Sequence, residues 1–286
     1  MFEKDSKKWV TDTFHRLCHI HKMYGEDVTG IQITSGYKFY KEKQATPWIK
    51  NLLFDFKELN KPEAKALDLQ YQRFETIWAF RTFMVRGEIY LPWMMRKIQD
   101  NGGLIMQSKV ESLSELSGYD IIINCTGLGA CDLVGDKSLF PVQGQIVVVK
   151  APWMKTVYYN REPDLSAIVY ILPCKDVVLL CGTAEANSWS TTPDPKTAQK
   201  IYQDCLKLAP ELKGAEVIGG WACLRPVRER VRLEVETPLS GPPVIHNYGH
   251  GGQGVILSWG CAIQTMNLMR DHLVKKGLLM NPESKP

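Results

Sequence analysis

The spacing of apolar residues along the chain predicts helices in four segments. Apolar side chains from Trp9 to Met23 recur at roughly helical spacing, which predicts an amphipathic helix over residues 5–23. Three further helices are predicted over 91–103, over 195–208 and over the segment that follows residue 254.

Alternating or continuously apolar stretches predict strands between these helices. The segment TGIQITSGYKFYK at 29–41 alternates and is rich in β-branched and aromatic residues, so we expect a strand with a bulge at Gly36. Other strands are predicted at 78–90, just after 104, within 119–130, and at 143–150, 167–172, 176–182 and 215–221. The fold class is therefore α+β with a strand-rich middle.

Charge and composition exclude several classes of protein. The chain has 286 residues, of which 35 are basic and 31 acidic, so its net charge is +4. This charge is too mild to indicate nucleic acid or an anionic membrane surface as a partner. The apolar stretches are strand-sized, whereas a membrane helix needs roughly 20 apolar residues. The first twenty residues lack the apolar core of a secretory signal. We therefore expect a soluble protein.

The cysteines and histidines do not form a metal or disulfide pattern. Eight cysteines without a C-x-x-C pair are untypical of a disulfide framework or a zinc site, and they favour an intracellular location. His15, Cys18 and His19 share one face of the first predicted helix, but no fourth ligand stands nearby. Packing is the favoured interpretation, and no metal is predicted.

The sequence YGHGGQG at 248–254 has the spacing G-x-G-x-x-G at Gly249, Gly251 and Gly254. A dinucleotide-binding turn of this type opens a βαβ unit, and an acidic residue follows about 20 positions later. Because neither the second strand nor the acidic residue follows here, an NAD(P) site over 244–272 is disfavoured. A tight turn without a ligand stays open. Glycines ahead of a helix N-terminus favour contact with an anion or an electron-rich ring edge.

Six motifs, taken in order, resemble the D-amino-acid oxidase and D-aspartate oxidase family of FAD enzymes. They are IIINCTGLGA, FPVQGQIVVV, APWMK, YILP, LRPVRERVRLE and VIHNYGHGGQGVILSWGCA. The resemblance runs from about residue 5 to the C-terminus and implies FAD as the cofactor. It also implies that the final glycine loop lies over the flavin, where the dipole of the next helix supports negative charge on the reduced ring.

The resemblance implies an α/β FAD-binding part and a mostly antiparallel substrate-binding sheet. The FAD-binding domain is assigned to 1–28, 104–142 and 241–276, the substrate-binding domain to 29–103 and 143–240, and a disordered tail to 277–286. Family members begin with a βαβ unit whose glycine turn cradles the FAD pyrophosphate, and this chain begins beyond it. We therefore expect an N-terminally incomplete FAD-binding part. An inactive truncated isoform or fragment without bound FAD is the alternative.

Individual residues carry over from the family through these motifs. Arg225, in LRPVR, matches the arginine that grips the substrate α-carboxylate with a planar guanidinium fork. Tyr170, in VYILP, matches a tyrosine whose hydroxyl binds the same group, and the carbonyl of Gly252 matches the position that meets the substrate amine. The implied cofactor contacts are Val110, Thr126, Gly251, Gly252, Gln253, Gly254, Val255 and Ile256.

The implied reaction is oxidative deamination of a D-amino acid to a 2-oxo acid, ammonia and hydrogen peroxide, with oxygen as the second substrate. The Cα hydrogen passes to the flavin as hydride, so no protein base is required and no catalytic residue is predicted. A structural role is predicted for His250.

The motifs YLPW and GGLIMQ look closer to D-aspartate oxidases, so D-aspartate is favoured and neutral D-amino acids are the alternative. An acidic side chain needs a second cation, because an unpaired carboxylate in a dry pocket is costly. Aspartate oxidases place an arginine where this chain has Ala184, and Gln143 stands where family members commonly carry arginine. The family lid corresponds to 158–167, so the candidates there are Tyr158, Tyr159 and Arg161, the last as a substitute cation.

Family members often end in a peroxisomal address of the S-K-L type. This chain ends Ser284-Lys285-Pro286, so we expect a peroxisomal or cytoplasmic location. A homodimer is left open.

Overall fold

The computed structural model describes residues 4–69, 71–161 and 168–279. The helices in this part of the chain are α1 (Lys4–Tyr24), α2 (Glu26–Thr29), α3 (Lys61–Ala66), α4 (Gly87–Asp100), α5 (Ala130–Leu133), α6 (Pro195–Leu208) and α7 (Gly254–Lys275).

The strands are β1 (Ile31–Tyr40), β2 (Asp55–Glu58), β3 (Thr76–Val85), β4 (Ile122–Asn124), β5 (Phe140–Lys150), β6 (Thr156–Arg161), β7 (Ile168–Cys174), β8 (Val177–Cys181), β9 (Glu185–Ala186), β10 (Glu216–Glu236) and β11 (Val244–His250). The α+β prediction is confirmed.

The chain forms two compact units. The first unit comprises Met1–His19, Met95–Pro141 and Arg225–Pro286, and the second comprises Ile20–Met94 and Val142–Leu224. The chain passes from one unit to the other within α1, α4, β5 and β10, so both units are discontinuous in sequence.

The start of α6 follows from its N-terminal capping. The Asp194 carboxylate accepts a hydrogen bond of 2.7 Å from the N–H of Thr197, and Pro195 fills the first helical position, where its missing N–H costs nothing. The prediction of a helix over 195–208 is therefore confirmed.

The start of α4 corrects the prediction for this region. The strand ends at Val85 and the helix begins at Gly87, so the strand predicted for 78–90 is wrong over its last five residues. Tyr90 and Trp93 are three positions apart and both buried, which a helix allows by placing them on one face.

The strand predicted just after 104 is also wrong. Residues 104–110 adopt neither helix nor strand, and Leu104 and Met106 are 90% and 74% exposed. An apolar stretch becomes a strand only where a neighbouring strand pairs with it, and none of the described strands pairs with this one.

In the second unit the strands follow the order β2-β3-β1-β6-β7-β8-β5. The pair β1–β6 is parallel and the other neighbouring pairs in this order are antiparallel. This agrees with the predicted mostly antiparallel sheet. β10 was predicted only over 215–221, but it extends across 21 residues.

Gly36 does not form the predicted bulge. The register between β1 and β3 is continuous from the Ile31–Val85 pair to the Tyr40–Thr76 pair. Gly36 lies opposite Phe80, and a Cβ at Gly36 would lie 2.6 Å from Cζ of that ring. The glycine therefore permits the close approach of an aromatic ring.

The apolar core of the second unit joins the central strands to α6. Ile171, Val178 and Leu180 are fully buried, and Ile201 and Cys205 of α6 belong to the same cluster. Burial of each large aliphatic side chain contributes roughly 1.5–3 kcal/mol. This packing joins α6 to the sheet.

In the first unit, β11 pairs antiparallel with the second half of β10 and parallel with β4. α7 follows β11 and packs against α1, where a Cβ at Gly260 would lie 2.1 Å from the Cα of Trp9. The indole Nε1 of Trp9 donates a hydrogen bond of 2.6 Å to Gln264 Oε1. None of the described helices combines the length and apolar character that crossing a bilayer requires.

Candidate functional site

The glycine loop lies between β11 and α7 in the first unit. Residues Gly251–Gln253 form a single 3-10 turn between them. Gly249 and Gly251 have φ values of +86° and +57°, a region that L side chains rarely adopt. A Cβ at Gly249 would also lie 2.9 Å from the Cβ of Arg228. Both the backbone conformation and the neighbouring strand therefore require glycine.

The N-terminus of α7 carries no side-chain cap. Gln253, at the N-cap position, makes no capping hydrogen bond, and Val255 and Ile256 of the first turn are 55% and 42% exposed. The first amide N–H groups of a helix have no intrahelical partner and lie at the positive end of its dipole. This loop and helix start suit a ligand with negative charge.

A large bulge in β10 forms the opposite wall of the loop. The pairing of β10 with β11 shifts between Val227 and Arg232, so residues 228–231 stand opposite Gly249. Together with Trp9 of α1, the bulge and the loop line a cavity of about 350 Å³ within the first unit. A ligand can approach the loop backbone from this side.

Arg225 reaches the same loop from β10. Its Cδ would lie 3.5 Å from a Cβ at Gly252, so the guanidinium stem runs directly beside the loop. Its Nη1 is buried and has no hydrogen-bond partner among the described residues. An unsatisfied buried donor is costly, and a bound carboxylate would satisfy it.

Next to this loop, Asp136 is bound by two residues of the sheet. Its side chain is 5% exposed and accepts hydrogen bonds from Arg228 Nε at 3.0 Å and from the Tyr248 hydroxyl at 2.8 Å. Burial acts to raise the pKa of this carboxyl, but the hydrogen bonds from Tyr248 and Ser138 and the charge of Arg228 outweigh it and lower the pKa. Arg228 is therefore held in the bulge of β10 by a buried carboxylate.

Arg232, on β10, is also held by hydrogen bonds and ion pairs. Its side chain is 16% exposed, donates to the Tyr248 hydroxyl at 2.9 Å, and pairs with Glu234 and Glu236 at 2.7 Å each. Sequence alone did not find this network, because its members come from three separate segments of the chain.

The network continues to Thr126, a predicted cofactor contact. Glu236 is hydrogen-bonded to His246 Nε2 at 3.1 Å, and His246 Nδ1 is bonded to Asn124 Nδ2 at 3.2 Å. Asn124 Oδ1 accepts bonds from both the N–H and the hydroxyl of Thr126. Burial and the charge of Arg232 lower the pKa of His246, against the opposing effect of Glu236. Neutral His246 therefore holds Asn124, and Asn124 orients Thr126.

His250 lies at the end of β11, beside the glycine loop. Burial lowers its pKa, and its Nε2 has no hydrogen-bond partner among the described residues. The imidazole is therefore neutral at physiological pH. The structural role predicted for it stays a prediction.

Tyr170 lies in the second unit, on β7, directly opposite Tyr159 of β6. Its hydroxyl donates to the Tyr159 hydroxyl at 3.3 Å, and the two rings meet edge to face with centroids 4.4 Å apart. The ammonium of Lys38 lies 4.7 Å from the centroid of the Tyr159 ring. Sequence analysis did not single out Lys38. Its position between aromatic residues in SGYKFY is the signal that could have indicated a cation beside aromatic rings.

The proposed lid candidates lie in a strand rather than a loop. Tyr158, Tyr159 and Arg161 belong to β6, and 162–167 lie outside the described residues. Tyr158 faces the core side, where it stacks on Phe39 and donates a hydrogen bond of 2.7 Å to Glu211.

The remaining predicted positions are spread over both units. Val110 is half-buried and outside regular structure in the first unit. In the second unit Gln143 is 5% exposed and donates to the Ser190 carbonyl at 3.1 Å, while Ala184 is exposed.

Sequence comparison matches residues 3–268 to the family described as FAD dependent oxidoreductase. The chain is 32% identical to D-aspartate oxidase of Homo sapiens over 271 residues, which are 93% of this chain and 77% of that protein. It is 44% identical to D-amino-acid oxidase of Rubrobacter xylanophilus over 174 residues, which are 60% of this chain and 53% of that protein.

Solved structures resemble the fold at low sequence identity. Glycine oxidase from Geobacillus kaustophilus aligns with a TM-score of 0.70 at 15% identity, covering 94% of this chain and 81% of that one. L-proline dehydrogenase from P. horikoshii aligns with a TM-score of 0.67 at 15% identity, covering 95% and 80%. At this identity the likeness concerns the fold alone.

Proposed function

Because the chain belongs to the family of FAD-dependent oxidoreductases, we propose that it catalyses the oxidative deamination of a D-amino acid, with D-aspartate as the favoured substrate. The products are a 2-oxo acid, ammonia and hydrogen peroxide. The proposal rests on one observation about Arg225, which lies beside the glycine loop. Its buried Nη1 has no hydrogen-bond partner among the described residues.

FAD is the cofactor, and the residues of the loop fit it. Gly251 and Gly252 carry no side chain that would block a ring, and the uncapped N-terminus of α7 offers positive charge. Residues Gly251 through Ile256 would hold the flavin end, and Thr126, fixed by Asn124, would hold a more distant part of the cofactor. The chemistry that FAD supplies when bound is two-electron oxidation of the Cα–N bond, with oxygen as the final acceptor.

Arg225 would bind the substrate α-carboxylate. A guanidinium holds a carboxylate through two parallel hydrogen bonds, which fixes the position and orientation of Cα. Correct placement of the reacting bond is a main source of rate in a reaction that needs no protein nucleophile. The Gly252 carbonyl is proposed to accept a hydrogen bond from the substrate amine.

Tyr170 is proposed to donate a hydrogen bond from its hydroxyl to a carboxylate oxygen of the substrate. In the present arrangement this hydroxyl donates weakly, at 3.3 Å, to Tyr159. Rotation of the hydroxyl about its C–O bond would redirect this hydrogen bond to a charged acceptor. A hydrogen bond to a charged acceptor is stronger than one to a neutral acceptor. Neutral His250 would add no positive charge near the substrate and is proposed to support the end of β11.

The preference for D-aspartate rests on the human relative, which is named D-aspartate oxidase and aligns over most of this chain. Relatives named D-amino-acid oxidase align over shorter segments. Neither Ala184 nor Gln143 offers a cation for a second carboxylate, so an acidic substrate needs one from elsewhere.

The test is the absorbance spectrum of the full chain purified with FAD. Bound flavin bands that bleach under anaerobic addition of D-aspartate are expected, and bleaching by D-alanine should be slower at equal concentration. Protein that retains flavin but is bleached by neither amino acid would contradict the proposed substrate class. Protein that retains no flavin would support the alternative of an inactive chain.

A further inference from the structure

One backbone group fixes the direction of the hydrogen bonds that run from Thr126 to His246. The N–H of Thr126 can only donate, and it lies 3.1 Å from Oδ1 of Asn124. The NH2 group of Asn124 therefore points to Nδ1 of His246, at 3.2 Å. Because an NH2 group of an amide cannot accept, Nδ1 must carry a lone pair. The ring proton then lies on Nε2, which donates to Glu236 at 3.1 Å.

The pair at the centre of this chain of hydrogen bonds is shut off from solvent. Asn124 of β4 and His246 of β11 are direct partners in parallel register, so their side chains project from the same face of the sheet. They are 2% and 0% exposed. A buried polar group that loses its partner cannot bind bulk water instead, so a mismatched donor and acceptor would be costly here.

Protonation of His246 would place two donors face to face. The imidazolium carries an N–H group on both ring nitrogens, so Nδ1 would direct its proton at the NH2 group of Asn124. Turning the Asn124 amide over removes this conflict, because Oδ1 then accepts from Nδ1. The same rotation directs the NH2 group at Thr126. The hydroxyl of Thr126 can reverse and accept, but its N–H cannot, so the hydrogen bond to the backbone is lost.

Thr126 and the glycine loop lie at the same edge of the sheet in the first unit. β4 and β11 are parallel, and Thr126 follows the carboxyl end of β4 as Gly251–Gln253 follow that of β11. In open sheets with parallel strands, ligands bind outside this edge. The carbonyl of Thr126 also accepts a hydrogen bond of 3.0 Å from the N–H of Gly129, at the start of a 3-10 turn. Release of Thr126 would therefore loosen a segment at the edge where a ligand binds.

We propose that His246 is a positioning residue for the cofactor site, which holds Thr126 through Asn124 only while its ring is neutral. The inference rests on the proposed function, in which Thr126 holds part of FAD. The proton on His246 then controls the affinity for the cofactor, because acid releases Thr126 and weakens the binding of FAD.

The groups around the imidazole keep it neutral at pH 7. Burial lowers the pKa of His246, and the charge of Arg232 lowers it further. The carboxylates of Glu236 and Glu234, also on β10, act in the opposite direction. Tyr248 of β11 stands perpendicular to the imidazole with ring centroids 5.8 Å apart, and its raised pKa keeps the phenol protonated. Glu236 has a lowered pKa, so it stays ionised while His246 gains its proton.

Nuclear magnetic resonance of the isotope-labelled full chain tests this without turnover and without a ligand. The ring nitrogens of His246 report its tautomer and its titration, and hydrogen exchange of the Thr126 amide reports the bond to Asn124. Protection factors at pH 7.5 and pH 5 remove the intrinsic pH dependence of exchange. The matched control is the N–H of Ser138, which donates at 2.9 Å to Asp136, a carboxylate with a lowered pKa that stays ionised over this range.

The wild-type ring should carry its proton on Nε2 at pH 7.5. As His246 gains a second proton, the protection of the Thr126 amide should fall by about tenfold or more, and that of the Ser138 amide should not change. His246→Asn keeps an acceptor for the NH2 group of Asn124 and cannot titrate, so the Thr126 amide should stay protected at both pH values. Asn124→Asp offers an acceptor in either orientation, so protonation of His246 should no longer release the amide.

Dissociation of FAD, followed by flavin fluorescence, gives the readout for the cofactor. Acidification from pH 7.5 to pH 5 should accelerate dissociation by about tenfold in the wild type and by less than about twofold in His246→Asn. Dissociation that is independent of pH in the wild type would overturn the role of His246 in holding the cofactor.

Four further results would overturn the inference. They are a proton on Nδ1 at pH 7.5, a ring that stays neutral down to pH 5, a Thr126 amide that stays protected when the ring is protonated, and an equal loss of protection in Asn124→Asp. The last result would indicate general loosening rather than rotation of the Asn124 amide. Failure of the proposed function looks different, because a chain that retains no flavin can still show the coupled change of His246 and Thr126.

Discussion

The hydroxyl of Tyr248 donates a hydrogen bond of 2.8 Å to the carboxylate of Asp136, and this bond joins β11 to the segment after α5. Tyr248 is 1% exposed, and it also receives a hydrogen bond from Arg232. The hydroxyl therefore lies where bulk solvent does not reach it. The bond therefore supports the strand that leads into the glycine loop.

Tyr248→Phe should destabilise the protein by about 1–3 kcal/mol, because a buried carboxylate and a buried guanidinium each lose a partner. Urea unfolding measures this loss. Tyr119→Phe, at a position 56% exposed in the same unit, is the matched control and should be neutral. A Tyr248→Phe protein as stable as the wild type would show that water or side-chain movement satisfies both groups.

Stability should fall as pH drops below about 6.5, the ordinary pKa of histidine. The pKa of both His246 and His250 is lowered in the folded protein, so the unfolded chain binds protons first on acidification. The contribution of these two histidines to stability is complete above pH 6.5. It is lost as the pH falls from the unfolded pKa value to the folded one. The carboxyls of Asp136 and Glu236 have pKa values lowered below 3.8 and 4.5, so their contribution to stability is lost only at lower pH.

The contribution of His246 to this pH dependence can be isolated by His246→Asn. Denaturation between pH 7.5 and 5 should show a shallower loss of stability in this variant than in the wild type. Equal slopes in the variant and the wild type would mean that His246 is protonated as easily when folded as when unfolded.

Gly260→Ala should destabilise the protein strongly, by about 3 kcal/mol, even though alanine is the better helix former. The new Cβ would lie 2.1 Å from Cα and 2.5 Å from the carbonyl oxygen of Trp9, and backbone atoms cannot move aside cheaply. Thermal unfolding gives the measurement. Gly118→Ala, where an added Cβ meets nothing within 4 Å, should have little effect.

In calorimetric titration of the full chain, purified with FAD, Arg225→Met should weaken binding of the monocarboxylate butyrate by about tenfold or more, since charge-assisted hydrogen bonds contribute roughly 1.5–3 kcal/mol each. Its stability should be equal to or above that of the wild type, because the buried Nη1 without a described partner is removed. Arg225→Lys should recover only part of the binding, since an ammonium lacks the planar fork. Loss of stability without loss of binding would assign Arg225 a structural role.

The regular elements with strong local signals were predictable from sequence. α6 has its own cap at Asp194 and a proline at its first position, and α7 follows an unmistakable glycine loop. Such signals act within a few residues, so they do not depend on the rest of the fold. The strand predicted after 104 failed, because an apolar stretch becomes a strand only with a partner.

The candidate site was predictable in part. Motif resemblance identified Arg225 and the glycine loop, and the structure brings these two together within the first unit. The motif resemblance did not reveal that Asp136 holds Arg228 or that His246 holds Asn124. Nor did it reveal that Lys38 and Tyr170 both pair with Tyr159 in the sheet.

The sequence by itself determined the fold class, the family and the residue types of the site, because periodicity, capping and motif order are local or ordered along the chain. The tertiary structure alone decided which side chains share a cavity or a face. Gly36 illustrates the difference. Its place in a strand was predictable, but the Phe80 ring that requires glycine there lies 80 − 36 = 44 residues further along the chain, and only the strand register brings the two together.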